Sequence, residues 1–90
     1  MNKRKRIDDE LFRKNKIRAA RRDGYMCVIC GSRATDVHHI VFRSQLGTSE
    51  LSNLACLCRR CHAAAHGPYA KLIRSRLKEI INEKRNKSSY

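Results

Sequence analysis

The sequence predicts a small α+β fold, with strands near the middle of the chain and helices on both sides. The chain has 90 residues, which limits it to one domain with a modest apolar core. Val, Ile and Phe concentrate in residues 35–42, whereas both flanks have apolar residues at helical spacing. We therefore expect a single domain over residues 1–90, with its core at about 21–67 and basic helical flanks at 1–22 and 69–87.

The charge of the chain is strongly positive and unevenly distributed. Its 21 Lys and Arg against 8 Asp and Glu give a formal net charge of +13. The excess is concentrated in residues 1–22 and 71–90, while residues 23–70 are nearly neutral. Such a charge can simply keep a surface soluble, but in so small a domain it favours a polyanionic partner, nucleic acid first. Aromatic residues are too few to suggest a base-stacking surface, and no apolar run is long enough to span a membrane.

The flanks predict one long helix each. The first should cover residues 8–22 after a mobile basic arm at 1–6, with Gly24 at the position that follows a helix C-terminus. The second should begin at Pro68, and the polar residues 84–90 should fray. Its apolar stripe is expected to pack against the core and comprises Tyr69, Leu72, Ile73, Leu77, Ile80 and Ile81.

The middle of the chain predicts a hairpin and a short helix. One strand should span residues 35–42, and its partner lies either at residues 31–34 or after a loop at residues 43–52. The sequence leaves both positions open. A short helix should begin at residue 58 or 59 and end at the Gly-Pro pair at 67–68.

Four of the five cysteines form two Cys-x-x-Cys pairs. One pair alone could be a redox dithiol or two buried thiols, but two pairs in one small chain favour a tetrahedral, structural Zn²⁺. The predicted ligands are Cys27, Cys30, Cys58 and Cys61. Cys56 lies in an apolar run and should be a small buried hydrophobe. The odd number of cysteines and the lack of a signal peptide favour reduced thiols in the cytoplasm.

The four histidines also form two pairs. His38 and His39 are adjacent in the predicted strand, so their side chains should point to opposite sides and serve as one metal ligand and one proton acceptor. His62 and His66 are four residues apart and share one helix face, which suits a shared metal ion. Either of them could instead cap or pack the helix. Asn53 taken alone would be an ordinary turn residue.

Taken together, these motifs resemble the zinc-bearing HNH endonucleases. The resemblance covers residues 21–67 and includes the cysteine pairs, the His38-His39 pair and Cys61-His62-x-x-x-His66. Asn53 precedes His62 by nine positions, as the corresponding Asn does in that family. The resemblance implies a ββα-metal, treble-clef-like core: a two-stranded hairpin and a helix around one divalent ion.

The resemblance also implies a role for each site residue. His39 would be the general base, and His38 and His62 would bind the catalytic metal with His66 as a third ligand, directly or through water. Asn53 would hold the loop and orient His39. Imidazole ligands suit Zn²⁺, Ni²⁺, Co²⁺ or Mn²⁺, and Mg²⁺ could act if water completes its shell. Contacts to DNA are expected from three arginines, Arg43, Arg59 and Arg60.

The function implied is hydrolysis of DNA phosphodiester bonds with low sequence specificity, by nicking one strand at a time. The loop after the histidine pair lacks a proline that is frequent in relatives, which leaves substrate preference open. One alternative is a zinc-finger module that binds DNA without cutting it. Another is an accessory subunit of a phage DNA-packaging machine, working with terminase or another DNA-processing protein. The biological target and the oligomeric state stay open.

Overall fold

The computed structural model describes residues 3–87, which contain three α-helices and one two-stranded antiparallel sheet. The predicted α+β class is confirmed. In chain order the elements are helix α1 (Lys3–Arg22), strand β1 (Asp36–His39), strand β2 (Leu54–Leu57), helix α2 (Arg59–Ala65) and helix α3 (Ala70–Lys87), with short 3-10 helices at Arg43–Gln45 and Leu51–Asn53. None of the helices in this part of the chain has the length and apolar character that a bilayer span requires.

Helix α1 begins at Lys3, five residues before the predicted start. The predicted mobile arm is therefore wrong for residues 3–6, whereas residues 1 and 2 lie outside the described part of the chain. Lys and Arg are good helix formers, so the basic stretch continues the helix instead of preceding it. Asp8 and Asp9, which we expected at the helix start, contact the loop between the strands instead.

The C-terminal end of α1 follows the prediction. The N–H of Gly24 donates to the carbonyl of Arg21 at 3.1 Å, and the N–H of Tyr25 donates to the carbonyl of Ala20 at 2.9 Å. Gly24 has φ = 64°, a left-handed conformation that glycine adopts without strain. These two bonds and the glycine form a Schellman motif, which turns the chain sharply away from the helix axis.

The sheet pairs β1 with β2 and fixes the register of the two adjacent histidines. His38 lies opposite Ala55, and His39 lies opposite Leu54. The partner strand thus follows the loop, which decides between the two positions that the sequence left open. Because neighbouring residues of a strand face opposite sides of a sheet, the register sends the two histidine side chains in different directions.

Strand β1 is shorter than the predicted 35–42, because Asn53 ends the ladder. The backbone N–H of Ile40 donates to the carbonyl of Asn53 at 2.8 Å. The next N–H, that of Val41, donates to the side-chain oxygen of Asn53 at 2.8 Å instead of to a strand. The chain therefore leaves the sheet two residues after His39 and enters the loop.

Both faces of β2 are covered, and all four of its residues are buried. On one face, Leu54 and Cys56 pack with Ala19 of α1. On the other face, Ala55 and Leu57 belong to a cluster with residues of α2 and α3: Ala65, Leu77 and Ile81. The sheet therefore lies between α1 and the pair α2–α3. Cys56 is buried, as predicted, and burial raises the pKa of its thiol to about 11.

The apolar stripe of α3 is only partly buried. Leu77 and Ile81 are in the core, and Ile73 and Ile80 pack against it. Tyr69 and Leu72 are exposed, so the prediction that the whole stripe packs is wrong for these two residues. Tyr69 precedes the helix, which begins at Ala70 and not at Pro68, and Leu72 lies about 140° around the axis from Leu77.

The predicted fraying of residues 84–90 is wrong for residues 84–87, which continue α3, whereas residues 88–90 lie outside the described part of the chain. Lys84 in this last part of the helix binds a buried carboxylate. Lys84 Nζ lies 2.8 Å from Oδ1 of Asp23, whose side chain is fully buried. Arg22 binds both carboxylate oxygens, at 2.8 and 2.9 Å, and the backbone N–H of Cys56 donates to Oδ2 at 3.1 Å. Asp23 thereby connects the end of α1, strand β2 and helix α3.

We predict that Asp23→Asn lowers the free energy of unfolding by about 2–3 kcal/mol at neutral pH, because two cations then face an uncharged amide. Burial acts to raise the pKa of Asp23, but its bonds to Arg22 and Lys84 outweigh burial and lower it. The contribution of the Asp23 carboxylate to stability should therefore be complete when the pH is above 3.8, the ordinary pKa of an Asp side chain. It should disappear as the pH falls below that value. Urea unfolding over a pH series measures this.

The matched control is Glu79→Gln. Glu79 pairs with Arg76 at 3.5 Å, with side chains that are 68% and 62% exposed. Exposed pairs contribute little, so this change should cost less than about 0.5 kcal/mol. Equal losses in the two variants would contradict the role assigned to Asp23.

Candidate metal centres and their surroundings

The four cysteines predicted to bind zinc come together, with their Sγ atoms within 4.8 Å of one another. We call this set the cysteine cluster: Cys27, Cys30, Cys58 and Cys61. The Sγ atoms of Cys30 and Cys58 are 3.7 Å apart. A tetrahedral Zn²⁺ with bonds of about 2.3 Å to sulfur separates its ligands by about 3.8 Å, so the cluster fits this ion.

Two local structures bring the thiols together. The N–H of Gly31 donates to the carbonyl of Cys27 at 2.9 Å, and Gly31 has φ = 79°, which lets the first pair turn tightly. Cys58 immediately precedes α2, and its Sγ accepts the N–H of Cys61 at 3.4 Å. This bond and one from the Ser32 hydroxyl lower the pKa of Cys58 to about 6, so its thiol loses its proton readily, as a metal ligand must.

Three histidines form a second group of possible metal ligands, with nitrogen atoms within 4.8 Å of one another. We call this set the histidine cluster: His38 of β1, His62 of α2 and His66 at the end of α2. The ring centroids form a triangle with sides of 5.0, 5.4 and 5.1 Å. Nε2 of His62 lies 3.4 Å from Nε2 of His66, and two nitrogens bound at about 2.1 Å to a tetrahedral ion are also about 3.4 Å apart. Three imidazoles leave a coordination position open, unlike four thiolates.

Asp36 sets the orientation of one of these rings. Nδ1 of His62 lies 3.0 Å from Oδ2 of Asp36, and this hydrogen bond lowers the pKa of the carboxyl group. The ionised carboxylate accepts the Nδ1–H, so Nε2 of His62 keeps its lone pair for a metal. We did not single out Asp36 from the sequence. The available signal was its position two residues before His38, which places both on the same face of the strand.

His38 is uncharged in this environment. Its side chain is buried, with only 4% of the residue exposed. Burial is the main cause that lowers the pKa of His38 to about 4, and the neighbouring His62 and His66 act in the same direction. At neutral pH the ring therefore carries a lone pair, which a metal ligand requires.

His39 lies in a different environment from His38. Its ring is 4.7 Å from the ring of Phe12 in α1, and its Nε2 is 2.9 Å from Oγ of Ser49. Burial and the nearby charge of Arg43 lower the pKa of His39, so it is uncharged at neutral pH and able to accept a proton. Ser49 gave no signal in the sequence, because it belongs to no local motif, and the helical spacing of Phe12 indicated only a place on the apolar face of the first helix.

Asn53 connects the two ends of the loop between the strands. Its side-chain oxygen accepts the N–H of Val41, and its amide group donates to the carbonyls of Val41 and Thr48 at 3.1 and 2.7 Å. Gly47 approaches Val41 so closely that an added Cβ would stand 1.8 Å from the Val41 carbonyl oxygen. The loop is therefore tightly closed around Asn53, while an effect of Asn53 on His39 stays a prediction.

Phe42 and Arg74 surround the histidine cluster on the side of the loop. The ring of Phe42 stacks on His66 with centroids 4.7 Å apart, and Arg74 of α3 lies 5.2 Å from the centroid of Phe42. Arg74 also donates to Oε1 of Gln45 at 2.8 Å, and its charge contributes to lowering the pKa of His38. The sequence did not point to Arg74, since it follows the histidine motif in a separate helix.

The three arginines expected to contact DNA differ in their surroundings. Arg43 forms ion pairs with Asp8, at 3.1 Å, and with Asp9, so its charge is largely balanced within the molecule. Arg59 and Arg60 are exposed in the first turn of α2. A DNA contact by any of them stays a prediction, and it is better supported for Arg59 and Arg60 than for Arg43.

Comparison with known proteins adds one finding. Residues 27–67 match the model of the HNH endonuclease family, and this segment contains the whole of both clusters together with Asn53 and Ser49. None of the curated proteins matches the chain. Residues 27–67, a little under half of the chain, are therefore similar to the HNH endonuclease family.

Proposed function

We propose that this protein is a metal-dependent DNA endonuclease whose cysteine cluster binds a structural zinc ion. The observation that carries the proposal is the histidine cluster, together with the uncharged His39, which follows His38 in the sequence. A purely structural fold needs only the cysteines. Three imidazoles leave one position of a tetrahedral ion open, and Asp36 binds Nδ1 of His62, so the Nε2 lone pair of that ring points to the cluster; both support a metal centre that takes part in a reaction.

The two clusters are suited to different tasks. Four thiolates complete a tetrahedral shell and leave no position for a substrate, so the cysteine cluster would stabilise the fold. His38, His62 and His66 would hold the second, divalent ion. When bound there, such an ion supplies Lewis-acid stabilisation of charge on a phosphodiester. The imidazole donors favour Zn²⁺, Ni²⁺, Co²⁺ or Mn²⁺, and Mg²⁺ remains a candidate with added water ligands.

Other residues near the histidine cluster have separate roles in the proposed reaction. His39 accepts the proton of the water that attacks phosphorus, because its ring is uncharged at neutral pH. The attack breaks the bond to the 3′ oxygen and leaves a 5′-phosphate and a 3′-hydroxyl. Asn53 keeps the loop closed beside His39 through its three side-chain hydrogen bonds. Phe42 packs on His66 and limits the movement of that ring.

DNA is the proposed substrate because the chain carries a net charge of +13 and the matching family acts on nucleic acid. Arg59 and Arg60 project next to the Cys58 end of α2, the helix that also bears His62. Contacts of this kind bind the phosphate backbone and carry little sequence information. We therefore propose low sequence specificity and nicking by the monomer, since one site acts on one strand.

The alternative is a zinc-finger module that binds DNA without cleaving it. The cysteine cluster alone would favour this function, because it is the part that such a module requires. That function does not require the bond between His62 and Asp36, nor does it require an uncharged, buried His38. A role beside a partner such as terminase stays a prediction about context and is compatible with either activity.

The first prediction from the proposed function concerns the structural zinc. Cys58→Ser should release tightly bound zinc and abolish cooperative unfolding, because metal binding and folding are coupled in domains of this kind. Zinc content after gel filtration and thermal unfolding followed by circular dichroism measure the two effects. Cys56→Ala is the control, since it removes a cysteine outside the cluster and should keep the full zinc content. A Cys58→Ser protein that keeps its zinc would refute the assignment.

The second prediction separates His39 from His38. His39→Ala should slow plasmid nicking by about 10²–10⁴-fold while metal affinity persists, because general-base catalysis contributes that much. His38→Ala should first lose affinity for the catalytic metal, and excess metal should restore part of its rate. Calorimetric titration of each zinc-loaded variant and nicking rates over a metal series measure both effects. If the two phenotypes are exchanged, so are the roles; if both variants nick normally, the nuclease proposal fails.

The third prediction concerns DNA binding by the His39→Ala protein. Its affinity should fall steeply with salt and differ little between unrelated duplexes. Changing both Arg59 and Arg60 to Gln should reduce the slope of log affinity against log salt by about 2, one unit for each lost phosphate contact. Fluorescence anisotropy over a salt series tests this. A strong preference for one duplex that survives high salt would contradict backbone binding.

A further inference from the structure

Helix α1 lies outside the segment that matches the HNH family, yet among the described contacts it makes three of the four hydrogen bonds of one loop residue, Ser49. Ser49 is fully buried. Its N–H donates to Oδ1 of Asp8 at 2.7 Å, and its Oγ lies 2.8 Å from Oδ2 of the same carboxylate. The Ser49 carbonyl accepts a hydrogen bond from Nδ2 of Asn15 at 2.9 Å. The main chain and the side chain of Ser49 are therefore both fixed by α1.

The same face of α1 also contacts the proposed general base. Asp8, Phe12 and Asn15 are spaced by four and three residues, so they share one face of the helix. The ring of Phe12 lies 4.7 Å from the ring of His39, and Oγ of Ser49 lies 2.9 Å from Nε2 of His39. A continuous hydrogen-bonded chain thus runs from the Asp8 carboxylate through the Ser49 hydroxyl to Nε2 of His39.

The direction of these bonds follows from counting hydrogens. Arg43 forms an ion pair with the Asp8 carboxylate, which is therefore ionised and can only accept. The Ser49 hydroxyl has one hydrogen, and at 2.8 Å it must donate that hydrogen to Asp8, because two acceptors would otherwise face each other. The Ser49 oxygen then accepts at its other contact, so Nε2 of His39 carries the hydrogen. Nδ1 of His39 is left with a lone pair.

We propose that Asp8 is a positioning residue for cleavage, which acts through Ser49 to hold His39 as the Nε2–H tautomer and so makes Nδ1 the atom that takes the proton from water. This inference rests on the proposed function, in which His39 is the base. As water attacks phosphorus, its O–H bond breaks and an Nδ1–H bond forms on His39. The 3′ oxygen leaves with the electron pair of the bond to phosphorus. The imidazolium keeps its Nε2–H···Oγ bond, and the Asp8 carboxylate faces the new positive charge through one hydroxyl.

In this arrangement Arg43 binds carboxylates of the protein, which is a different role from the predicted contact with DNA. It pairs with Asp8 and Asp9 and so keeps the Asp8 carboxylate ionised. Burial acts to raise the pKa of Asp8, whereas the bonds from Ser49 and the charge of Arg43 lower it, with a net decrease. The pair Asp8–Ser49 could also be only an anchor between α1 and the loop. The two roles differ in one observable, the tautomer of His39.

The experiment uses the full-length, zinc-loaded chain labelled with ¹⁵N at histidine, and long-range ¹H–¹⁵N spectra at pH 7.5. His39 of the wild type should show a protonated Nε2 and an unprotonated Nδ1. In Asp8→Asn the new amide can donate to Ser49 Oγ, which frees the hydroxyl to donate to Nε2 of His39. The tautomer should then reverse to Nδ1–H, and nicking should slow between about 10-fold and the 10⁴-fold that a wrong tautomer costs in a Ser-His-Asp triad.

Asp9→Asn is the matched control, because it makes the same acid-to-amide change one residue further along α1. Asp9 pairs with Arg43 but is not bonded to Ser49 among the described contacts. It should keep the Nε2–H tautomer and a nicking rate within about 2-fold of wild type, as expected for a partly exposed ion pair. Ser49→Ala supplies a second variant, in which Nε2 loses its acceptor and the two tautomers should mix.

The outcomes are distinct. If the wild-type spectrum shows the hydrogen on Nδ1 of His39, the inference is overturned without any variant. The inference can therefore be tested even if the Asp8→Asn protein does not fold. An Asp8→Asn protein that nicks more slowly but keeps Nε2–H also overturns it, since Asp8 is then only an anchor. If the wild type does not nick DNA under any metal tested, the proposed function fails, whereas the spectra still report whether Asp8 sets the tautomer.

Discussion

The register of the two-stranded sheet is the constraint on which the site depends. His38 lies opposite Ala55 and His39 opposite Leu54, and β2 is covered on both faces. Ala55 packs with residues of α2 and α3, whereas Leu54 packs with α1. A slip of one residue would exchange the two faces. The register therefore places His38 in the histidine cluster and His39 between α1 and the loop.

Helix α2 links the cysteine cluster and the histidine cluster. It is only seven residues long, and Cys61 and His62 are adjacent in it. Neighbouring residues of a helix are about 100° apart, so one can face the cysteine cluster while the other faces the histidine cluster. Fixing the cysteines fixes the N-terminal end of this helix, and the orientation of His62 follows. A structural zinc in the cysteine cluster would then orient the second site without taking part in its chemistry.

Helix α1 gives the domain more than charge. Asp23, just after its end, binds Lys84 of α3 and the backbone of β2, and Asp8 near its start binds the loop beside His39. The matching segment of residues 27–67 contains both clusters but not these contacts. The basic flank therefore supports the site through specific bonds, which come from Asp8, Asn15 and Arg22.

The sequence by itself determined the features that depend on local spacing. Two Cys-x-x-Cys turns, the His62–His66 pair and Gly24 after α1 each involve residues within one or two turns of chain, so their geometry follows from backbone conformation. The tertiary structure alone decided which strand pairs with β1 and that Lys84 binds the Asp23 carboxylate. It also joined Asp8 to Ser49, which are 41 residues apart. Contacts of that separation depend on how the layers pack, and no local pattern records them.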